Sequence, residues 1–502
     1  MSAEEFKELF DRHLRTIEEL VRRLFEHKYD SAQGLWTIQT DLVRYQIEVR
    51  GDVRKEMSRK SETQATIAEV AAQRRGDWKK ELQRLQGEIS HSEMRVTILE
   101  HALNLSMQFG DALAWIFLKG DVRRIASLAI NKPNPPIPEG LSLQAMLGVA
   151  ESLANRGAGF PLIHDVTRCL RVGDLTFCNI LDDDDEPLTV EVKSKTASIE
   201  GNIATLDVAI YAPAVQPKFT KIFEKLSGAP IQVEAAKPPA AEETPRRAVL
   251  GSGPRLERQV ERMARSRTLQ AASHLETIDQ VGNNILAAMT LQMKGVYFHW
   301  DIIAELATEA KGRGYATRAV DDAFFYTATY SEDKSVYPWS ESADLPFAAQ
   351  VSERVKEAFP LYGDASRDYI CFRSSWDYLS GEVPPYIRPF LLYNLPIDQR
   401  IDIMWRRLSI VVYMNIGKMV EALKLAGIEA RVPADEDELN HQFIPITFSA
   451  TLDDDSIVKV GGGDLNEFAN KVGLEFMSLE GFVSCVLQTM TGAVELAKSK
   501  VR

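Results

Sequence analysis

From residue 1 to about 105 apolar residues recur at helical spacing, with almost no Pro or Gly, among Glu, Lys, Arg, Gln and Leu; long helices are predicted. Within this region Trp78, Leu82, Leu85, Ile89, Ser92, Val96, Leu99 and Leu103 follow alternating steps of four and three, the heptad seam of a coiled coil, and only Ser92 is polar. A seam does not name its partner. A homodimer or coiled-coil partner fits it as well as an antiparallel hairpin inside one chain. Next, "FGDALAWIFLKGDVRRIASLAI" predicts two short helices, "NKPNPPIPEG" ends them, and "LSLQAMLGVAESLANRG" predicts a helix with Gly157 as its C-terminal cap.

The apolar spacing then shortens. "GFPLIHDV", "RCLRVGDLTFCNIL" and "PLTVEVK" predict three strands, the last two joined by the acidic turn "DDDDE". Past Lys195 the pattern weakens. Residues 196–254 read as an insertion that includes the Pro-, Ala- and Glu-rich stretch 228–254, and "RLERQVERMARSRTLQ" restarts a helix. From roughly residue 295 aromatics and Pro become common, with an apolar helix near "RIDIMWRRLSIVVYMNIGKMVEALKLAG" and strands near "QFIPITFSA" and "SIVKVGG". The fold class expected is a multidomain α+β protein: helical or coiled-coil region 1–105, α/β core 106–290, and C-terminal α+β domain 295–502.

Composition narrows the functions open to this chain. Its 502 residues are 45% hydrophobic and 26% charged, the balance of a globular protein. A net charge of −13 argues against coating nucleic acid over the whole surface, because that affinity comes from neutralising phosphates; any such site must be local. Apolar runs are too short to span a bilayer and the N-terminus lacks a secretory layout, so a cytoplasmic protein without membrane contact is expected. Cys169, Cys178, Cys371 and Cys485 show no zinc-ligand spacing and read as buried thiols.

Candidate chemistry concentrates around one of five Glu-x-Lys tripeptides. Glu5/Lys7, Glu26/Lys28, Glu309/Lys311 and Glu332/Lys334 follow no strand and read as solvated charges. Glu191/Lys193 ends "PLTVEVK", where the two-residue period puts Leu188, Val190 and Val192 on one face and Thr189, Glu191 and Lys193 on the other. Asp174 lies in the preceding predicted strand, able to approach Glu191 across the pair. Two close carboxylates repel, and Mg²⁺ (or Mn²⁺) relieves the repulsion while keeping waters for chemistry.

This order of residues resembles the PD-(D/E)xK, or restriction-endonuclease-like, nuclease superfamily. The helix "AMLGVAESLANRG" with Glu151, then "LIHDVT", "RVGDLTF" with Asp174 and "TVEVKSK" with Glu191 and Lys193 correspond to its helix and three strands, over residues 141–195. Gly173 stands where the motif has Pro. The resemblance implies metal binding by Asp174 and Glu191, a catalytic Lys193, a supporting acid at Glu151, and hydrolysis of phosphodiesters in DNA or RNA; a prokaryotic defence or repair setting would suit it. The alternative is a catalytically inactive scaffold or partner-binding protein that keeps the fold.

Other signals are weaker. Arg255, Arg258, Arg262 and Arg265 share one face of a predicted helix and form a local basic stripe for phosphates, diluted by Glu257 and Glu261. Asp182 to Asp185 read as a soluble hairpin tip, and His164 and Asp165 as a strand-end pair satisfied locally. In "VGGGDLNEFANKVG", Asp464 is expected as a helix N-cap. The aromatics of "YPWSESADLPF" and "SSWDYLSGEVPPYIRPFLLY" suit a core or a partner interface better than base stacking.

Overall fold

A computed structural model describes residues 3–26, 32–74, 76–129, 140–170, 172–178, 187–200, 203–211, 231–234, 298–332, 353, 370–380, 387–432, 445–451 and 457–488. The architecture is α+β, with helices and antiparallel sheets in two compact units. One comprises Met1–Lys28, Arg44–Ser106 and Gly282–Arg502; the other comprises Tyr29–Val43 and Met107–Val281. The four Arg of the predicted basic stripe, the Asp182–Asp185 turn and "YPWSESADLPF" lie outside the described residues.

The N-terminal helices are α1 (Ala3–Glu26), α2 (Ala32–Gln73) and α3 (Trp78–Phe117). The first unit takes α1 with the adjoining parts of α2 and α3. Along the heptad seam Leu85, Ser92 and Leu99 are buried and the other five positions half-buried, and the ion pairs Arg95–Glu56 (2.7 Å) and Lys60–Glu93 (2.8 Å) run between α3 and α2 in antiparallel order. Helix α1 closes over them through Phe6 against His91 and Phe10 against His101.

This unit also holds the antiparallel sheet β6-β7-β9-β8, built from β6 (Tyr315–Val320), β7 (Phe324–Tyr330), β8 (Ile370–Ser374) and β9 (Leu408–Asn415). The apolar run expected as one helix here divides into α7 (Ile397–Met404), the central strand β9, and α8 (Ile416–Leu425). The β-branched segment "LSIVVYMN" is almost wholly buried between two strands, an environment in which branched side chains favour the strand over the helix. Helix α6 (Trp300–Arg313) precedes β6, and α9 (Leu465–Glu475) follows a three-stranded sheet of Ile428–Glu429, Pro445–Thr451 and Ile457–Asp464. Asp464 caps α9 as its sequence predicts, accepting from the backbone N–H of Asn466 at 3.1 Å.

The second unit contains α4 (Val122–Leu128), α5 (Leu141–Asn155) and a five-stranded antiparallel sheet in the order β1-β2-β3-β4-β5, with β1 Phe160–Ile163, β2 Leu175–Cys178, β3 Leu188–Glu200, β4 Ile203–Tyr211 and β5 Ile231–Glu234. Strand β3 runs well past Lys195, and the residues read as an insertion supply two further strands of the same sheet. Of the two short helices expected here the second is α4, while the first is the end of α3, which continues unbroken through Gly110 and stops at Lys119 and Gly120, both at positive φ. Gly110 serves a close approach: a Cβ there would lie 2.0 Å from the carbonyl oxygen of Val166.

Both faces of this sheet are covered. Cross-strand partners share a face, so the pairs Phe160↔Cys178, Leu162↔Thr176 and Thr176↔Thr189 place these residues on one side together with Glu191 and Lys193. On that side Phe160 stacks on Phe117 of α3 (centroids 4.0 Å apart) and meets Trp36 of α2 edge-on. On the other side Ala145 of α5 packs against Val208, the partner of Ser194. The outer edge of β1 is blunted by Gln39, whose amide donates to the Pro161 carbonyl (2.7 Å) and accepts from the Ile163 N–H (3.0 Å).

Candidate functional site

Asp174 stands one residue before β2, where continuation of the β2–β3 register sets it opposite Glu191. The sequence placed it within a longer strand; the structure has irregular backbone over 172–174, because Gly173 adopts φ 78°. Proline is locked near −65° and has no access to that conformation, so Gly at the motif's Pro position is required by this backbone. Preceding it, residues 168–169 are clamped to α3: the Asp111 carboxylate accepts from the backbone N–H groups of Arg168 (2.6 Å) and Cys169 (2.9 Å) and from Arg168 Nε (2.8 Å).

Asp174 is pinned on both sides by its backbone. Its N–H donates to the Val190 carbonyl (2.8 Å) and its carbonyl accepts from the His164 N–H (3.1 Å). The side chain turns toward β3, where Oδ2 accepts from the Val192 N–H at 2.6 Å. Glu191 is 1% exposed, and its Oε1 accepts from Lys193 Nζ two residues along the same face. The Lys193 side chain stays one-third exposed, so the ammonium lies where buried acid meets solvent. Burial, and then the Glu191 charge, push the Asp174 carboxyl up to about 7 against the smaller opposing pull of Lys193.

A buried relay backs this arrangement. His164 Nδ1 lies 3.1 Å from the Gly173 carbonyl, and Nε2 lies 2.7 Å from Thr176 Oγ1, itself 2.9 Å from Thr189 Oγ1. A carbonyl only accepts, so Nδ1 carries the proton. Burial lowers the His164 pKa to about 4, keeping the ring neutral; Nε2 therefore accepts from Thr176, which in turn accepts from Thr189. The ring thus holds the Gly173–Asp174 turn against β2 and β3. The sequence marks His164 as satisfied by local hydrogen bonds; its ring is instead satisfied by Gly173 and Thr176, 9 and 12 residues away, partners that no local pattern reveals.

The structure brings Asp174, Glu191 and Lys193 together and leaves Glu151 apart. Glu151 is exposed on α5, whose buried face (Ala145, Met146, Val149, Ala150, Leu153) lies on the Val190 side of the sheet, opposite to Glu191. Among the described residues no group of three or more His, Cys, Asp and Glu is gathered as a metal cage. Two carboxylates, with other positions left to water, are the smaller set that Mg²⁺ commonly takes. The donors fit that ion: Asp174 Oδ2 and Glu191 Oε1 have protein partners, and two carboxylates beside one lysine hold more negative charge, when both are ionised, than Lys193 balances. Comparison of the chain with protein-family models, curated proteins and solved structures gave no match. No helix among the described residues is long and apolar enough to cross a membrane.

Proposed function

We propose that this protein is a Mg²⁺- or Mn²⁺-dependent nuclease that hydrolyses phosphodiester bonds in DNA, or in RNA, at Asp174, Glu191 and Lys193. The observation that carries the reading is the imbalance at the site: two facing carboxylates, one of them wholly buried, share a single lysine that is one-third exposed. Asp174 and Glu191 would hold the cation. Bound there, it would supply Lewis-acid polarisation of the phosphate and a lowered pKa for a coordinated water. Lys193 presents a fixed positive charge at the solvent edge, suited to orient the attacking water or offset charge on the phosphoryl oxygens. The His164 relay keeps the Asp174 turn in place without touching substrate.

One observation favours the competing scaffold reading: Lys193 already neutralises Glu191, an ion pair that needs no substrate to explain it. Cleavage separates the two. Purified protein is expected to cut single-stranded or duplex nucleic acid with Mg²⁺ or Mn²⁺ and to lose that activity in Asp174→Ala and Lys193→Ala. Absence of cutting, or equal cutting by both variants, would refute the nuclease.

A further inference from the structure

Helix α7 ends in a Schellman turn: the Arg407 N–H reaches back to the Asp402 carbonyl (2.9 Å) and the Arg406 N–H to the Ile403 carbonyl (2.9 Å). Its left-handed position, φ 56°, is filled by Arg406. Glycine takes that conformation without steric cost, whereas a side chain there crowds its Cβ against the backbone. The Arg406 side chain brings a second cost. It is half-buried and, among the described residues, makes no ion pair or hydrogen bond; its Nε is sealed from solvent with nothing opposite it. Burial alone pushes the guanidinium down to about 10.

Its neighbours are provided for. Arg407 pairs with Asp402 (3.5 Å), Lys311 with the same carboxylate (2.9 Å), and Trp405 donates to Glu18 (2.8 Å). Among the described residues Arg406 has only the face of Trp376, 5.4 Å from the ring centroid, and that indole is fixed by its own bond to the Leu408 carbonyl (3.1 Å). Beside it His101 of α3 is buried, with Nε2 also unpartnered, and the Arg406 charge adds to burial in keeping that imidazole neutral. Strained positions of this kind cluster at ligand clamps and active sites, and here the strain coincides with a charge that has no ion partner among the described residues.

The geometry points to an oxyanion-binding site on Arg406, taking a phosphate or carboxylate group on its terminal guanidinium nitrogens with Trp376 behind the fork and His101 beside it. A planar guanidinium matches two acceptor oxygens at once. The site shares no residue with the Asp174 cluster, so the two readings stand or fall separately.

Thermal unfolding and calorimetry of the full chain in low-millimolar inorganic phosphate or acetate, against chloride at equal ionic strength, test it. Wild type is expected to unfold at a higher temperature with phosphate, acetate or both than with chloride, and the arm that responds names the anion class. Arg406→Gly relieves the left-handed strain and removes the buried charge. It is expected to unfold at a higher temperature than wild type in chloride and to bind the anion about 10–100-fold more weakly, the loss of one or two charge-assisted hydrogen bonds. Arg406→Gln, which keeps the strain, should lose the same binding. Equal behaviour of both anions and chloride, an undiminished response in Arg406→Gly, or an Arg406→Gly protein less stable than wild type in chloride would overturn the site.

Discussion

Glu191 and Glu475 have the same exposure, 1%, and each is paired with a lysine of its own element, yet they sit in opposite electrostatic situations. Glu475 receives Lys471 Nζ (2.7 Å) from one turn earlier on α9 and the Arg388 N–H (2.9 Å) on the same oxygen. One negative charge meets one positive charge, both nearly sealed from water. At Glu191 a second carboxylate, Asp174, faces the pair, and the lysine is one-third exposed to solvent. The first arrangement is complete in itself; the second is complete only with a proton or a cation. Buried ion pairs are weak indications of function, and the surplus charge is what distinguishes the Asp174 cluster.

The sharpest break in that comparison is cleavage. Lys193→Ala and Asp174→Ala are expected to reduce Mg²⁺-dependent hydrolysis by about 10²–10³-fold or more, measured by single-turnover cleavage of labelled DNA, whereas Lys471→Met leaves the rate per folded molecule unchanged. Stability should show the reverse order. Lys471→Met strands a buried carboxylate and is expected to cost about 3–5 kcal/mol in urea unfolding. Asp174→Asn keeps an acceptor for the Val192 N–H and removes surplus charge, so in metal-free buffer at pH 8 it is expected to stabilise the protein, on the order of 1–3 kcal/mol. Raising Mg²⁺ should stabilise wild type and leave Asp174→Asn unmoved; an equal response of both would remove the metal from this site.

The smallest effects are in pH. Asp174 has a folded pKa raised to about 7, so the folded state holds its proton more tightly than the unfolded chain. Its contribution is full below the ordinary carboxylate range and is lost as pH rises toward and through 7; Asp174→Asn should flatten that decline. His13, His101 and His164, lowered by burial to about 4, 3 and 4, act in the other direction. Their stabilisation is present above their unfolded value of 6.5 and is lost as pH falls toward 4. His164→Gln is expected to remove part of that acid sensitivity and to weaken Mg²⁺ binding, because the Gly173–Asp174 turn loses its ring contact. Unfolding midpoints across pH 4–8 measure both slopes.

Much of this was legible before any coordinates. The helical N-terminus, the α5 helix with Gly157 at its end, the β3 alternation that sets Glu191 beside Lys193, and the Asp464 cap all follow from spacing and capping chemistry within a few residues. The structure departs from these expectations where a residue's local preference is overridden at a distance. Nothing near Gly110 in sequence announces the Val166 carbonyl that its missing side chain admits, or that α3 runs through it to Phe117. "LSIVVYMN" looked helical beside its helical flanks until the strands around it decided otherwise. Glu151 occupied the right place in the order of elements, but only the packing of α5 shows which side of the sheet it shares.

The sequence by itself determined the acidic tripeptide, its strand and its alternation, because side-chain direction along a strand is set by the backbone's two-residue period. Only the tertiary structure decided that Asp174 meets that strand through a glycine turn, that a histidine 10 residues upstream braces it, and that α2 runs antiparallel alongside the helix that carries the heptad seam. Those outcomes rest on contacts between distant segments, where burial and charge balance are properties of the assembled unit.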